Sequence, residues 1–488
     1  MKGLRTAEGS SGAFRGALWV WILSPLPVLG AFWSLKDLGP WPAERGIFQI
    51  ALACAGLAWL VGVWASFRLP AALRQGRQAW GSFLYVGVIG ALLRGLVLVA
   101  TPALSDDVNR YVFEGGLVAQ GTSPYAHAPA DPERAAEREA WAELYAAVNH
   151  PEVSAAYPPL IQYVFGLGVS LAGGPAKTIG AAETQGAAPE FAASRVFRVF
   201  FSVCDLGLGL LLGLALMRRG RAPAVACIWV YCPLVVMEFA GSAHFDVLGV
   251  LLFMAAVLLF EGRDRSLLRE GAAFVTLGLG VAIKFLPVLA LPFLFAQGRR
   301  PWRGLSLFAA TFLLSFVGLF FLDGGASGLT RGLDQYALRW ESFSMLFRVL
   351  EAPFEAFLPQ DGSWLDARRF ARGAIALIFL VHAFLLLREG ASPERGARSL
   401  VALFLVLTPT LHPWYLTWLL PFLVLKPSLA WFLFLAAAPL LYWPLTEWRA
   451  LAEWREPGWL WLCIVPPFLM LWILETRIRE NRSSNPPA

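Results

Sequence analysis

Uninterrupted apolar runs dominate this chain. Several of them reach the roughly 18 to 20 residues that a helix needs to cross a bilayer. Across the 488 residues, 57% are hydrophobic and only 15% are charged. The runs are continuous rather than alternating, which disfavours a transmembrane β-barrel. The sequence therefore predicts an all-α polytopic membrane protein, organised as a single integral membrane domain over residues 1–488.

We predict about 14 membrane helices, within a range of roughly 13 to 15. Segments 285–297 and 413–426 are short and are interpreted as half-helices. Segment 157–174 is apolar but short and opens at two prolines, so we interpret it as an interfacial or re-entrant helix. If it spanned the membrane instead, every later loop would change side. The predicted spans are 17–33, 47–67, 79–101, 195–217, 222–240, 247–261, 267–283, 285–297, 303–322, 371–388, 398–411, 413–426, 430–446 and 458–475.

Arginine clusters predict which loops are cytoplasmic, because basic residues are enriched on the inner side of membrane proteins. Placing the basic N-terminus inside puts each cluster in an inner loop or in the tail, so both termini are cytoplasmic. The first helix lacks a small-residue cleavage site and is expected to stay uncleaved. The clusters lie at 68–77, 218–221, 263–269, 299–303, 388–398 and 477–482.

Two outer loops follow from this topology, at 102–194 and 323–370. The first is acidic in its early part, with nine Asp and Glu against three Arg over 102–156. Within it, 131–149 is expected to form a helix with Asp131 as cap and Pro132 at the first position. A second interfacial helix is expected at 336–347 in the later loop.

The remaining composition excludes several kinds of partner. The net charge of +6 is accounted for by topology-setting arginines, so no nucleic-acid partner is expected. The five cysteines lie in apolar segments and are interpreted as small buried hydrophobes. No CxxC pair or His/Cys cluster indicates a metal site. Five Lys against 35 Arg, in an Ala-rich chain, are typical of a GC-rich bacterial genome.

Paired carboxylates follow the third predicted span, in "SDDVNRYVFEGG" (105–116). Ser105 can cap a helix that runs to about Gly115, with Asp106 and Asp107 in its first turn. Capping alone would explain the acids. However, Ser105 suffices for a cap, and a carboxylate at the membrane edge could act as a general base. We favour the catalytic interpretation. The helical spacing places Asp107, Arg110, Tyr111 and Glu114 on one face.

Further polar residues interrupt apolar segments on the same outer side. His244 and Asp246 lie in "GSAHFDVLGV" (241–250), where Asp246 could also cap a helix. Lys284 is the only Lys deep in an apolar run. It could snorkel to the interface, but a charge there is usually functional, and phosphate is its natural partner.

A proline-flanked break at "TPTLHPWYLTWLLP" (408–421) contains His412. Such a break frees backbone groups, which is tolerable only beside a cavity. Trp414 and Tyr415 could form an aromatic belt or a sugar platform, with even odds. Arg94, Arg198 and Asp205 lie within the third and fourth spans. Arg198 and Asp205 are seven residues apart on one helix face, and we interpret these charges as a structural ion pair.

These motifs, in this order, resemble the GT-C superfamily of membrane glycosyltransferases, and in particular bacterial polyprenol-phosphate-mannose-dependent mannosyltransferases. The matching stretches are "SDDVNRYVFEGGLVAQGTSPYAHAP" (105–129), "AAYPPLIQYVFG" (155–166), "GSAHFDVLGV" (241–250), "AIKFLPV" (282–288) and "LHPWYLTWLLP" (411–421). The resemblance covers about residues 79–425. Each stretch is weak alone, but five in order are fairly specific. The tract 173–194 departs from the family pattern.

The resemblance implies a GT-C-type fold and an inverting transfer. The donor would be a sugar β-linked to a polyprenyl phosphate, and the acceptor a lipid-linked or glycan hydroxyl. The first-loop aspartate would deprotonate that hydroxyl; Asp107 matches the family spacing slightly better than Asp106, and the two are not separated. No cofactor or divalent metal is expected. The implied substrate-binding residues are Arg110, Tyr111, Tyr157, His244, Asp246, Lys284, His412, Trp414 and Tyr415.

The sequence thus predicts a mannosyltransferase in a bacterial plasma membrane, with an extracytoplasmic active site in contact with membrane lipids. One alternative is a lipid-carrier flippase or a secondary transporter. Transporters usually contain two related halves, and the chain has no internal repeat. An O-antigen-type polymerase would have a different motif order.

Overall fold

The computed structural model describes residues 15–35, 45–100, 104–179, 190–262, 266–359, 366–445 and 455–484. Within these ranges the chain is overwhelmingly helical. The strands there are one short antiparallel pair, in which Thr178–Ile179 pairs with Glu190–Phe191. The prediction of an all-α membrane protein is confirmed.

Seven helices among the described residues are long and apolar enough to cross a membrane, or eight if one bent pair counts as a single span. Four apolar helices are shorter: Pro159–Ala172, Asp246–Phe260, Leu286–Gln297 and Leu429–Leu445. The count of 14 therefore stays a prediction. The seven long helices are Arg15–Leu35, Ile47–Ser66, Gly76–Leu98, Ala192–Arg218, Pro301–Phe321, Ala367–Arg388 and Gly458–Ile478.

The chain divides into two compact units, and neither is contiguous in sequence. The first comprises residues 1–104, 202–241 and 420–488. Its helices are Arg45–Ser66, Gly76–Leu98, Cys227–Val230, Pro233–Val236, Leu420–Leu425, Leu429–Ala437 and Gly458–Ser484, together with the first span; its 3-10 turns are Ala71–Arg74, Pro223–Ala226 and Ala438–Tyr442, and Met237–Gly241 is a π-helix.

A broken helix crosses this first unit. Pro223–Val230 and Pro233–Gly241 are bent by 61°, and Pro233 begins the second half. Arg94 supplies a donor at the break, because its Nη1 donates to the Val230 carbonyl at 2.5 Å. The same guanidinium pairs with Asp205 at 2.6 Å.

The predicted Arg198–Asp205 pair is therefore wrong. Asp205 accepts from Arg94 and from the Trp229 indole at 2.7 Å. Arg198 instead pairs with Glu190 at 3.2 Å. The seven-residue spacing places Arg198 and Asp205 on one helix face, but each is paired with a residue outside that spacing, Glu190 and Arg94 respectively.

The second unit comprises residues 105–201 and 242–419. Residues 192–201 of the helix Ala192–Arg218 belong to it, and the rest of that helix belongs to the first unit. Its other helices are Asp107–Ala119, Ala135–Ala140, Ala142–Ala146, Pro159–Ala172, Asp246–Phe260, Leu267–Ile283, Leu291–Gln297, Pro301–Leu314, Arg331–Arg339, Phe347–Glu355, Ala367–Arg388 and Pro393–Leu407; its 3-10 turns are Pro132–Arg134, Leu286–Ala290, Val317–Phe321 and Pro413–Trp418.

Two predicted loop helices differ from the structure. The helix expected over 131–149 is instead three short helices, Pro132–Arg134, Ala135–Ala140 and Ala142–Ala146, and Trp141 separates the last two. Pro132 does begin the first of them, as predicted. The helix expected over 336–347 lies earlier in the chain, at Arg331–Arg339, and the next helix begins only at Phe347.

The helix Asp107–Ala119, here called the aspartate helix, packs closely against the helix Pro159–Ala172. Two glycines permit the approach: a Cβ at Gly115 would lie 2.7 Å from the Phe165 carbonyl, and one at Gly166 would lie 2.7 Å from the Val118 side chain. The Tyr111 ring stacks on Phe165 with centroids 4.6 Å apart. This packing fixes where the aspartates at the start of the helix lie.

Candidate active site

The aspartate helix starts without help from its own acids. Its first residue is Asp107, and Asp106 occupies the cap position but makes no side-chain capping hydrogen bond. Ser105 performs the capping function instead, since its Oγ accepts the Asp107 amide at 3.3 Å. The helix also continues to Ala119, beyond the predicted end near Gly115. Both carboxylates are thus available for contacts outside the helix.

A single amide bridges the two carboxylates. The Nδ2 of Asn149 donates to Asp107 Oδ1 at 2.6 Å and to Asp106 Oδ1 at 2.8 Å. Asn149 lies in the segment after the short helix Ala142–Ala146. The sequence analysis did not select it, because a lone Asn in a polar loop carries no distinguishing pattern.

Arg110 holds the Asn149 segment in place. It donates to the carbonyls of Asn149 and His150 at 3.1 Å each, and also to those of Val153 and Ser154. Its Nε pairs with Glu114 at 2.8 Å. Arg110 is 8% exposed, and its donors serve the chain itself, so a further contact with substrate would have to compete with these bonds.

Tyr111 and Tyr157 form part of an aromatic cluster beneath the aspartates. Tyr111 is 1% exposed and lies with its ring against Phe165, Tyr157 and Phe245. Tyr157 contacts Phe245 edge-on, with centroids 4.6 Å apart. Burial raises the pKa of both phenols well above their usual range, which keeps them neutral. Tyr157 is partly exposed and is the better placed of the two to meet a ligand.

His244 approaches the second oxygen of Asp107. Its Nε2 lies 3.5 Å from Asp107 Oδ2, and its side chain is 1% exposed. The preceding residue, Ala243, has a φ of 58°, a left-handed conformation that side chains rarely adopt. His150, which follows Asn149, has a φ of 44°. His244 and Asn149, which both contact Asp107, are therefore each adjacent to a residue with strained backbone, as is common at functional sites.

The electrostatics keep Asp107 ionised. Burial alone would raise its pKa, but its contacts with His244 and Asn149 and the nearby His412 lower the pKa to about 2. For His412, burial is the largest cause and lowers the pKa to about 4, so this imidazole is neutral at pH 7. Asp107 is 22% exposed and can therefore be reached by a proton donor.

The indole of Trp414 is sandwiched between two imidazoles. Its ring centroid lies 4.0 Å from that of His244 and 4.3 Å from that of His412, with interplanar angles of 23° and 6°. Two parallel imidazoles that close to one centroid would overlap if they shared a face, so they lie on opposite faces. A sugar would therefore meet the edge of Trp414 unless it displaced an imidazole. The aromatic-belt and sugar-platform interpretations both remain predictions.

Asp246 and Lys284 form the second charged pair of the site. Lys284 Nζ lies 2.6 Å from Asp246 Oδ1, and the Trp418 indole donates to the same oxygen at 2.7 Å. Asp246 is the first residue of the helix Asp246–Phe260, and Lys284 follows the last residue of Leu267–Ile283. The Lys284 ammonium also lies 5.2 Å from the Phe245 ring and 4.9 Å from the Tyr415 ring.

The segment 323–370 contributes aromatic residues that the sequence pattern did not single out. The hydroxyl of Tyr336, on the helix Arg331–Arg339, lies 2.6 Å from the hydroxyl of Tyr415. Trp340 stacks on Tyr336 and contacts the His150 ring edge-on, at a centroid distance of 4.6 Å. The β-bridge between Ser342 and Thr410 joins this loop to the His412 segment. The strong amphipathic pattern of 331–339 was the available signal.

One group among the described residues has the geometry to hold a metal ion. The potential ligand atoms of His127, Asp131 and Glu133 lie within 4.8 Å of one another. All three side chains are substantially exposed, and Asp131 also accepts the Ala128 amide at 2.9 Å. The group lies within residues 127–133 and contains no residue of the aspartate helix.

The site thus combines an ionised carboxylate with a cation. Asp107 is positioned to accept a proton, and Lys284 to neutralise an anion, among tyrosine and tryptophan side chains and the neutral His412. This arrangement suits a reaction in which a hydroxyl loses a proton while a negatively charged group departs. Every residue involved belongs to the second unit.

A family model described as "Alpha-(1->6)-mannopyranosyltransferase, N-terminal domain" (MptA_B family) matches residues 6–298, more than half of the chain. The matched range contains the aspartate helix, Asp246 and Lys284, and it ends before the His412 segment. No curated protein and no solved structure matches the chain significantly.

Proposed function

Because the chain belongs to the alpha-(1->6)-mannopyranosyltransferase family and is a glycosyltransferase, we propose that it transfers mannose from a polyprenyl-phosphate-linked donor to a lipid-linked or glycan acceptor. The family description supports the sugar and the linkage. The donor class is supported by the resemblance of the five motifs and by the kind of charges present in the site.

One observation carries this proposal: Asp107 and the Lys284–Asp246 pair belong to one aromatic-lined site although they come from widely separated segments. The polyprenyl phosphate would leave the sugar as an anion, and Lys284 is a cation of the site that could neutralise it. Such stabilisation of developing charge is often the largest contribution to catalysis. Asp107 is ionised and is the base available for the acceptor.

The proposed step is a single displacement. The acceptor hydroxyl attacks the anomeric carbon from the face opposite the phosphate, and Asp107 takes the hydroxyl proton. The bond between the anomeric carbon and the phosphate oxygen breaks, and the polyprenyl phosphate departs with the electron pair beside Lys284. A β-linked donor then gives an α-linked product, in agreement with the α linkage in the family description. A 6-linkage would make the nucleophile a primary hydroxyl.

The reaction is proposed to need no metal, because Lys284 supplies the positive charge at the leaving group. The exposed group His127, Asp131 and Glu133 makes this worth testing directly. The flippase and transporter alternatives lose support, because the matching family consists of transferases.

We place the enzyme in a bacterial plasma membrane with its active site on the extracytoplasmic side, from the arginine distribution. Impermeant thiol reagents test this placement in a variant whose exposed Cys54 and Cys463 are replaced by serine. In intact cells, a cysteine at position 133 should be labelled and one at position 219 should not. External labelling at 219 would mean that the segment 157–174 spans the membrane.

The function is tested with the purified full-length protein, radiolabelled polyprenyl-phosphate mannose and a lipid extract from a bacterium with mannosylated lipids. Consumption of the donor and a new mannosylated product are expected, with equal rates in EDTA and in added magnesium. Absence of donor consumption, while a nucleotide-linked mannose is consumed, would overturn the donor class. Loss of activity in EDTA would overturn the metal-free mechanism.

A further inference from the structure

Asn149 connects the two acids of the site, and its sequence pattern does not indicate a role for it. Its amide carries two hydrogens, and each is directed to one carboxylate, at 2.6 Å from Asp107 and 2.8 Å from Asp106. Adjacent carboxylates repel each other, and a shared donor reduces that repulsion. Hydrogen bonds from a neutral amide to ionised oxygens are also stronger than those between neutral groups.

We propose that Asn149 is a positioning residue that makes Asp107 the base. This inference rests on the proposed function. By binding Oδ1, the Asn149 amide fixes the Asp107 carboxylate with Oδ2 directed toward His244 and the interior of the site. Asp106 is the exposed member of the pair, and Asn149 binds its Oδ1 at 2.8 Å.

The backbone around Asn149 is built to hold this amide. The Asn149 carbonyl accepts from Arg110 at 3.1 Å, and the Asn109 side chain donates to the Ala147 carbonyl at 3.2 Å. His150 has a left-handed φ of 44°, so the chain reverses directly after Asn149. Arg110 and Asn109 bind backbone carbonyls of this segment, so these hydrogen bonds do not depend on the Asn149 side chain. A substitution there therefore removes the amide without freeing the segment.

Three variants separate positioning from simple support of the loop. Asn149→Ala removes the amide, and Asn149→Asp replaces it with a third carboxylate. The matched control is Asn109→Ala, which removes an amide that holds the same segment but does not contact the aspartates. All three are assayed as full-length protein for donor consumption, with kcat, KM and the pH profile measured alongside thermal stability.

We expect Asn149→Ala to lose about 10- to 100-fold in kcat with little change in the KM for donor, because a misplaced base is worth roughly that factor. Asn109→Ala should stay within about threefold of wild type.

Asn149→Asp provides the readout that a loop-holding role would not change. A neighbouring like charge raises the pKa of Asp107, so activity should fall along an acid limb at roughly pH 4 to 6 that the wild type lacks, and should recover at higher pH. The titratable groups that face Asp107 from the surrounding elements are Asp106, Glu114, Tyr111, Tyr157, His244, His412 and Tyr336. None of these is altered in the variant.

Wild-type kcat in Asn149→Ala would overturn the inference, as would an unchanged pH profile in Asn149→Asp. So would equal losses in Asn149→Ala and Asn109→Ala, because Asn149 would then only hold the loop. The proposed function fails separately: if Asp107→Asn turns over normally, no base needs positioning, whatever the Asn149 variants show.

Discussion

Lys284 Nζ and Asp246 Oδ1 lie 2.6 Å apart, at the end of one helix and the start of another. The snorkelling interpretation required Lys284 to extend along an apolar surface to solvent. The contact with Asp246 shows that its ammonium group is held inside the site instead. It also means that the cation is oriented before any substrate binds. An ammonium group has three donors, so pairing with Asp246 leaves others for an anionic ligand.

Lys284→Ala should therefore reduce both donor affinity and turnover, because the anion loses its cation and buried Asp246 loses its partner. Lys284→Arg should retain part of both, since the charge remains but the geometry changes. Donor binding by titration and kcat by donor consumption measure the two effects. Wild-type turnover in Lys284→Ala would remove Lys284 from the mechanism.

Asp107→Asn should lose roughly 100- to 10,000-fold in rate, the usual contribution of a general base. Its shape is preserved and Ser105 provides the cap, so thermal stability and donor binding should stay close to those of wild type. Asp106→Asn is the matched comparison and should be impaired less, because Asp106 is the exposed member of the pair, whereas Asp107 lies 3.5 Å from buried His244. Equal impairment of the two variants would contradict the assignment of Asp107 as the base.

Stability should fall in mild acid because of His412. Its pKa is lowered to about 4 in the folded state, chiefly by burial, against an ordinary value of 6.5. The resulting stability is fully present above pH 6.5 and is lost as the pH falls toward 4, since the unfolded chain then binds a proton that the folded chain excludes. In detergent, the wild-type Tm should drop over this window more steeply than that of His412→Asn. Parallel pH curves for the two proteins would count against this account.

Removing Arg94 should destabilise the first unit. Arg94→Leu leaves Asp205 buried without its cation and the Val230 carbonyl without its donor, which is expected to cost about 3 to 5 kcal/mol. The control is Arg77→Leu, an exposed arginine in the same helix, with a change within about 0.5 kcal/mol. Thermal unfolding in detergent compares them. Similar Tm values would show that the buried pair contributes nothing.

The sequence selected several residues of the candidate site but not the contacts that hold them. Polar residues in apolar segments were selected because burying a polar or charged group there costs free energy and is usually functional. They are Asp107, His244, Asp246, Lys284 and His412. The structure brings them into one unit. The family prediction from the same motifs is confirmed by the match over residues 6–298.

What the sequence could not indicate were contacts between ordinary residues far apart in the chain. Asn149 is 42 residues from Asp107, and Tyr336 is 79 residues from Tyr415. Neither stands out from its neighbours, so only the fold reveals the partner. Arg110 illustrates the converse case: its position suggested a ligand for the substrate, yet its donors bind backbone carbonyls of the chain. Spacing predicts which helix face a side chain occupies, but not what approaches that face.

The interleaved connectivity of the two units has a consequence for biosynthesis. The second unit is complete once residue 419 has left the ribosome, whereas the first, begun by the N-terminal helices, still lacks residues 420–488. The second unit can therefore assemble before the first unit has received its last residues. A ribosome that stops shortly after residue 419 would release a chain whose second unit is complete but whose helix Arg45–Ser66 lacks its neighbour Leu429–Ala437, and quality-control proteases should recognise that uncovered helix.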